Sequence, residues 1–303
     1  MNSQEPLNET EQQQKYIGWH VVSILDLLGQ QDALRNLTAL PNRNNKEELD
    51  EFKRKVEEFY KPFYAIRKFF TSSIQIYQAG KDISQLSPDK QDFLKSFRNS
   101  PIFLRHFSDS LIAHVPLNKD ISKFPCRAIY GVLAATAQTM VSCLANKMAL
   151  RGGIELGIAM HLDENEIYGP ALARAHTLEN KIAQYPRILI GDELVRYLHA
   201  VAGQDPSSSE ARVSSGLAAK SLELLAVDDD GQMFLDYLGP HFRDALQHLP
   251  ISKEAVQMAY NFVIEQSIKH KESRNSKLGF RYTLLRNYFE SRLALWGLST
   301  ALE

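Results

Sequence analysis

Residues 16–29 read YIGWHVVSILDLLG, an apolar run that carries four β-branched side chains and ends at a glycine. A short apolar run of this composition, bounded by a turn residue, is typical of a strand buried inside a sheet. Asp26 lies near the end of the run. We therefore predict a buried strand with a carboxylate at the edge where it ends.

A second aspartate occupies the tip of a predicted hairpin. Residues 103–115 read FLRHFSDSLIAHV, in which a polar triplet at 108–110 separates two extended runs. Small polar residues form turns, so Asp109 is expected at the tip. Aspartates at strand ends are often only turn formers or helix caps. Two of them on neighbouring strand ends, however, can bridge divalent metal ions over a nucleoside triphosphate.

A long amphipathic helix is predicted from Lys46 to about Tyr77, because charged and apolar residues alternate at three- and four-residue spacing. Its aromatic stripe, from Phe52 to Phe69, is expected to be a packing face. The other predicted elements are helices at 127–150, 170–183, 252–270 and 276–298, strands at 154–160 and 187–190, and two strands at 222–227 and 233–238 that flank the turn Asp228–Gly231. A calcium loop is the alternative for that acidic turn, but the other ligands of such a loop are missing.

Strands and helices alternate irregularly, which favours an α+β sandwich over a doubly wound parallel sheet. We expect residues 1–15, rich in Gln, Glu and Asn, to be a disordered leader. Residues 16–203 form the predicted core, with the long helix at about 46–77 as an insertion. The stretch 204–210, which holds Pro206 and three serines, marks the start of a C-terminal extension over 204–303. That extension is expected to pack on the core as a hairpin plus helices.

Composition narrows the classes of function. The 303 residues include 35 Lys and Arg against 36 Asp and Glu, so no basic field draws the chain to nucleic acid or an anionic membrane. Polar residues interrupt the most apolar window, 128–144, and the N-terminus does not have the pattern of a signal peptide. Cys126 and Cys143 lie in a predicted apolar helix, which favours reduced thiols. We expect a cytoplasmic protein that binds neither nucleic acid nor membrane.

Four short motifs occur in a characteristic order. They are Asp26-Leu-Leu-Gly29, Phe107-Ser-Asp109-Ser110, Arg151-Gly-Gly-Ile-Glu-Leu-Gly157, and Gly169-Pro-Ala-Leu172 followed by Leu178-Glu179. In this order they resemble the class III nucleotidyl cyclases. More narrowly, the run from Arg151 to Glu193 resembles the pyrimidine (uridylate and cytidylate) cyclases of Pycsar anti-phage defence systems. The resemblance covers about residues 16–200.

The resemblance implies a ferredoxin-like core, an antiparallel-rich sheet with helices packed on it, that works as a homodimer with nucleotide at the subunit interface. It implies two Mg or Mn ions per site, held by Asp26 and Asp109. It also implies that backbone amides of Leu27, Leu28 and Gly29, in the turn that reaches Gln30, receive phosphate. A tight turn closed by glycine can present successive N–H groups to an anion.

The implied reaction is attack of the ribose 3′-hydroxyl on the α-phosphate. It converts UTP or CTP to the 3′,5′-cyclic monophosphate, cyclic UMP or cyclic CMP, and pyrophosphate. The cyclic nucleotide would act as a second messenger in antiviral defence and would be read by a separate effector protein that is not stably bound.

Base selection in the family depends on the positions that match Arg105 and Glu166 here. This pair fits neither the adenine nor the guanine pattern, which favours a pyrimidine base. The alternative is that the two residues form an ordinary surface ion pair, worth about 0 to 1 kcal/mol.

The chain departs from the family on the predicted helix at 170–183. Purine cyclases carry asparagine and arginine at the positions of Ala173 and Thr177, where they orient ribose and stabilise the transition state. Arg174 and Lys181 lie three residues before and four after Thr177, so on a regular helix they share its face and can reach the same phosphates. Both are alternatively ordinary surface residues.

Two other functions stay open at this point. The missing asparagine and arginine favour a catalytically degenerate, cyclase-like domain that binds nucleotide or another protein. The retained Asp26 and Asp109 favour an enzyme. A purine nucleotide cyclase with unusual base contacts is the third possibility.

Overall fold

The computed structural model describes residues 16–29, 39–79, 84–85, 87–107, 109–118, 120–121, 123–163, 166–205, 207–245 and 252–300. The predicted leader at 1–15, Gln30 in the predicted phosphate turn and Ser108 in the hairpin triplet lie outside these ranges.

The described residues form one mixed sheet of eight strands. Its order is β2-β3-β1-β4-β6-β8-β7, with β5 paired to β4. Within it, β4 and β6 run parallel, whereas the other paired strands are antiparallel. The predicted α+β class is confirmed at this level. The strands are β1 (Tyr16–Leu27), β2 (Phe103–Phe107), β3 (Ser110–Pro116), β4 (Leu150–Asp163), β5 (Glu166–Tyr168), β6 (Ile188–Ile190), β7 (Leu225–Val227) and β8 (Met233–Leu235).

Helices cover both faces of the sheet. In the described part of the chain they are α1 (Lys46–Gln78), α2 (Pro88–Arg98), α3 (Pro125–Ala145), α4 (Pro170–Thr177), α5 (Asp192–Ala202), α6 (Ser209–Glu223), α7 (Pro240–Ala245), α8 (Lys253–Glu272) and α9 (Ser276–Glu290). A π-helical turn, Leu178–Ile182, follows α4, and a 3₁₀ turn, Leu293–Trp296, follows α9. The predicted helix at 127–150 is too long, because α3 ends at Ala145 and β4 begins at Leu150. Residue 222 belongs to α6 rather than to a strand.

Strand β1 lies between β3 and β4, and from His20 to Leu25 it is buried on both faces. Val21 and Leu25 belong to the large core cluster that contains α3. Val22 and Ile24 point to the other face and pack against α4. Successive side chains of a strand alternate between faces, so burial of both faces explains why this stretch is apolar almost throughout.

Helix α3 is the central helix of the main core. It is long and apolar enough to cross a membrane by length and composition, and 89% of its most apolar window is buried inside the fold. Cys126 and Cys143 are buried on it as free cysteines, as predicted.

Helix α1 packs on α3 only through its second half, where Ile66 and Phe70 are buried. In the first half Val56, Tyr60 and Tyr64 are exposed. The prediction of one continuous packing face from Phe52 to Phe69 is therefore wrong for the N-terminal turns. Amphipathic spacing marks an apolar face but does not say whether a partner covers it.

The C-terminal segment shares the sheet and the core of the preceding residues. Strand β8 pairs with β6, and β7 pairs with β8. Helix α8 packs on α3, and both contribute to the same core cluster. The predicted hairpin turn at Asp228–Gly231 is confirmed, and buried Arg187 forms ion pairs with Asp228 and Asp230 of that turn.

Candidate functional site

Four of the predicted site residues line one cavity of about 1020 Å³. Asp26 reaches it from the end of β1, and Asp109 from the tip of the β2–β3 hairpin. Arg105 enters from β2 and Glu166 from β5. We call this space the carboxylate cavity. The sheet therefore brings together residues that are up to 140 positions apart in the chain (26 to 166).

Sheet register places the two aspartates side by side. Asp26 is paired with Ser110 on β3, and Asp109 directly precedes that serine. The Ser110 hydroxyl donates a 3.0 Å hydrogen bond to Oδ1 of Asp26. On the other side Asp26 is paired with Arg151 on β4, whose Nη2 is 3.8 Å from its Oδ2. Asp26 is thus held between a hydroxyl and a guanidinium group.

A third carboxylate comes from the helical side of the cavity. Glu179 lies in the π-helical turn after α4, is almost fully buried, and accepts a 2.6 Å contact from Nε of Arg151. This approach requires Gly153 on β4. A Cβ there would collide with the Ala175 carbonyl oxygen and lie 2.7 Å from Cβ of Leu178. The glycine therefore lets α4 lie close on the sheet.

The cavity is electrostatically unbalanced. Four carboxylates, those of Asp26, Asp109, Glu166 and Glu179, line it with two guanidinium groups. Burial, together with the nearby charges of Glu179 and Asp109, raises the pKa of Asp26 to about 6, against the smaller opposing effects of Ser110 and Arg151. Burial also raises the pKa of Glu179, again opposed by Arg151. Crowded carboxylates of this kind favour a bound cation.

Asp26 and Asp109 line the carboxylate cavity as a pair of carboxylates, which is the number of protein ligands to test against a magnesium or manganese site. Within the described ranges, no group of three or more His, Cys, Asp and Glu side chains is arranged to hold a metal. Magnesium sites for phosphate chemistry usually supply one or two protein carboxylates, and substrate phosphates and water complete the coordination. Asp26 and Asp109 match that pattern, whereas Glu179 is already engaged by Arg151.

Arg174 and Lys181 are not brought into the cavity. Nη2 of Arg174 donates a 3.1 Å hydrogen bond to the Leu156 carbonyl and lies against Gly157. Lys181 is exposed in the π-helical turn. The turn that carries Lys181 is wider than an α-helical turn, because the Ala183 N–H bonds to the Leu178 carbonyl five residues back.

Helix α4 and the π-helical turn each present one residue that was not predicted from the sequence. His176 and Asn180 both line the carboxylate cavity. Each lies three residues after one of the exposed positions Ala173 and Thr177, where the purine-cyclase pattern has asparagine and arginine. Ala173 lines the same cavity, and the three- and four-residue spacing of Ala173, His176 and Asn180 is that of one helix face. Helical periodicity could therefore have indicated both residues, although the sequence has no signal for the π-helical turn itself. Arg151 and Glu179, by contrast, belong to the motifs quoted above.

Arg105 and Glu166 lie on separate strands at the cavity wall. Nη1 of Arg105 donates a 2.8 Å hydrogen bond to the Leu104 carbonyl, and its guanidinium carbon lies 5.9 Å from the centre of the Phe103 ring. Among the described residues no salt bridge joins Arg105 to Glu166, so the surface ion pair is not what this structure contains.

The predicted phosphate turn, Leu27 to Gly29, faces a second cavity. The N–H of Leu28 donates to the Ala149 carbonyl at 2.9 Å, so it is already used. Gly29 has a φ of 88° and open space around it. All three residues line a neighbouring cavity of about 570 Å³ rather than the carboxylate cavity.

Comparison of this chain with protein-family models, with curated proteins and with solved structures finds no match.

Proposed function

We propose that this protein is a nucleotidyl cyclase that converts a pyrimidine nucleoside triphosphate, UTP or CTP, to its 3′,5′-cyclic monophosphate and pyrophosphate. The observation that carries the proposal is the convergence of Asp26 and Asp109 on one cavity, in the order of motifs that resembles the class III cyclases. The cavity volume of about 1020 Å³ is sufficient for a nucleotide, because ligand pockets usually measure about 300 to 1,000 Å³.

Asp26 and Asp109 are the residues that would hold Mg or Mn. The metal supplies charge neutralisation at the attacking oxygen and at the departing pyrophosphate. In the reaction a bond forms between ribose O3′ and the α-phosphorus. The bond from that phosphorus to the oxygen bridging the β-phosphate breaks, pyrophosphate leaves, and the hydroxyl proton passes to solvent.

The chain's own residues have distinct roles in this proposal. Arg151 fixes Glu179 and limits the repulsion between Glu179 and Asp26. His176 and Asn180 supply polar contacts to the sugar and α-phosphate in place of the groups absent at Ala173 and Thr177. At the far wall, Arg105 and Glu166 contact the base.

An exposed apolar patch supports a homodimer. Trp19 and Ile158 are 52% and 47% exposed and face each other across β1 and β4. Ile17 and Tyr168 are exposed nearby, and Tyr168 also lines the carboxylate cavity. Large apolar side chains grouped on a surface are typical of association sites. We also propose that the protein is cytoplasmic and that a separate effector protein responds to the cyclic nucleotide.

The direct test is incubation of the protein with each of the four nucleoside triphosphates and Mn²⁺, followed by chromatography and mass spectrometry. We expect a cyclic monophosphate from UTP or CTP. Product from ATP or GTP instead would make it a purine cyclase, and no cyclic product from any of the four would sink the proposal.

A second candidate is a catalytically inert domain that only binds nucleotide. The position of Arg174 favours it, since the guanidinium is directed to Leu156 and not to the cavity. This candidate predicts an increase in melting temperature with nucleotide and Mn²⁺, without any turnover over long incubation. The chromatographic assay separates the two.

A further inference from the structure

The second cavity is lined by the Leu27–Gly29 turn and by the C-terminal helix pair, which contributes seven of the fifteen residues of its lining. Helix α8 contributes Lys269 and His270, and α9 contributes Arg281. Lys147 completes the basic side chains of its lining. Among the described residues that line it, none is an aspartate or glutamate. We call this space the basic cavity.

Two of its cations have no acidic partner within the described ranges. Lys147 is paired with Glu265 at 3.0 Å, but no ion pair or hydrogen bond of the Lys269 or Arg281 side chains occurs there. Arg281 is half-buried, and its pKa is lowered by burial and then by the charge of Arg151. Lys269 is exposed and lines the same cavity as Arg281, and a partly desolvated cation without an acidic partner favours a bound anion.

A backbone donor completes the lining. The Gly29 N–H makes no hydrogen bond within the described part of the chain, whereas the adjacent Leu28 N–H is used by Ala149. Gly29 also has nothing within 4 Å of its Cβ position, so a ligand can approach its backbone closely. Backbone N–H groups in turns are common phosphate contacts.

The basic cavity lies next to the carboxylate cavity. Gly29 is three residues after Asp26, which limits their separation to about 10 Å of extended chain. Arg281 is close enough to Arg151 for their charges to interact, and Arg151 contacts Asp26. One cavity therefore carries negative charge suited to metal, and its neighbour carries positive charge suited to phosphate.

We propose that the basic cavity binds the terminal phosphates of the nucleoside triphosphate and the pyrophosphate that leaves, with Lys269 and Arg281 as the cations. This inference rests on the proposed function and gives the C-terminal helix pair a part in it. Helices α8 and α9 form one wall of the substrate site, and they contact the end of the nucleotide opposite to the base.

Direct binding of inorganic pyrophosphate to the full chain tests the inference. Titration calorimetry in EDTA, at low salt, removes any contribution of metal held by Asp26 and Asp109. We expect wild type to bind, and Arg281→Gln and Lys269→Gln each to bind at least about tenfold more weakly, which corresponds to about 1.4 kcal/mol. Matched controls are Lys277→Gln on α9 and Lys271→Gln on α8, which are exposed and lie outside the cavity lining. Both should bind as wild type does.

Several outcomes separate this inference from the proposed function. Binding that depends on Arg281 and Lys269, in a protein that cyclises no nucleotide, supports the anion site and overturns the cyclase. Cyclisation with unchanged pyrophosphate affinity and unchanged KM in both variants overturns the anion site alone. Failure of wild type to bind pyrophosphate at millimolar concentration also overturns it. Circular dichroism melting of each variant checks that the fold is kept.

Discussion

Nε of Arg151 lies 2.6 Å from Oε1 of Glu179, and the two side chains are only 15% and 4% exposed. This ion pair joins strand β4 to the π-helical turn directly beside Asp26. Nη2 of the same arginine is 3.8 Å from Oδ2 of Asp26. One guanidinium group therefore forms ion pairs with two carboxylates. Loss of Arg151 would leave both of them buried without a counter-charge.

We expect Arg151→Met to lower the free energy of unfolding by about 3 kcal/mol, as removal of one partner of a buried ion pair usually does. The double variant Arg151→Met/Glu179→Leu should recover part of the loss. Chemical denaturation of wild type, the double variant and the single variants Arg151→Met and Glu179→Leu measures the coupling. The exposed pair Arg196–Glu193 is a matched control, where loss of the arginine should cost no more than about 1 kcal/mol. A coupling energy near zero between Arg151 and Glu179 would contradict the prediction.

The stability of the metal-free protein should fall between pH 4 and pH 7. The pKa of Asp26 is raised in the folded state from 3.8 to about 6. Its contribution is therefore fully present below the unfolded value and is lost as pH rises through about 6. We expect Asp26→Asn to equal wild type near pH 4 and to exceed it by about 1 to 2 kcal/mol at pH 7, after allowance for partial exposure. Urea denaturation in EDTA at several pH values measures the difference, and a wild type more stable than the variant at pH 7 would refute it.

Divalent metal should reverse that instability. At pH 7 we expect Mn²⁺ with nucleotide to raise the melting temperature of wild type, since a ligand that binds only the folded state stabilises it. Asp26→Asn and Asp109→Asn should show little increase. Asp205→Asn, at an exposed position away from the cavity, is the control and should respond as wild type does. An equal increase in all four proteins would place the metal elsewhere.

Turnover should depend on the same two carboxylates. Asp26→Ala and Asp109→Ala are expected to reduce cyclic product by at least about 10²-fold, the loss typical of removing one strong electrostatic contact in a transition state. Near-native circular dichroism spectra would show that the fold is intact. Full activity in either variant would remove that residue from the metal site.

The helix edge of the cavity gives a separate prediction. We expect His176→Ala and Asn180→Ala to lower kcat/KM by about tenfold, since each removes one polar contact to substrate worth about 1 to 1.5 kcal/mol. His199→Ala, exposed on α5 and outside the cavity, should leave kcat/KM unchanged. Equal rates in the His176 and His199 variants would mean that His176 does not touch the substrate.

The elements that could be predicted from the sequence are those whose pattern lies within a short stretch of the chain. Strand β1 is apolar from His20 to Leu25 because both of its faces are buried there, and the Asp109 turn has the composition of a hairpin tip. Both signals are contained in fewer than fifteen consecutive residues. These two local signals, together with the order of the motifs, were enough to predict that Asp26 and Asp109 lie close together.

Other elements depend on distant residues and were not predicted. The N-cap residue of helix α5 makes no side-chain capping hydrogen bond. Instead, the carboxylate of Glu155, 39 residues earlier, accepts a 3.2 Å hydrogen bond from the Leu194 N–H in the first turn. Helix α6 does have a local cap, since Ser208 accepts the Ala211 N–H. The surrounding serines and Pro206 nevertheless favour a linker. The π-helical turn lies so close to the sheet that a Cβ at Gly153 would be 2.7 Å from Cβ of Leu178, and no periodicity encodes this contact.

The C-terminal segment and the preceding residues share one core, and this affects how the protein unfolds. Strands β7 and β8 complete the sheet beside β6, while α8 covers the inner helix α3. A chain cut before residue 204 would expose an open sheet edge and an apolar helix face at once. Denaturation should accordingly follow a single all-or-none transition, and the two segments should be inseparable by limited proteolysis without loss of the whole fold.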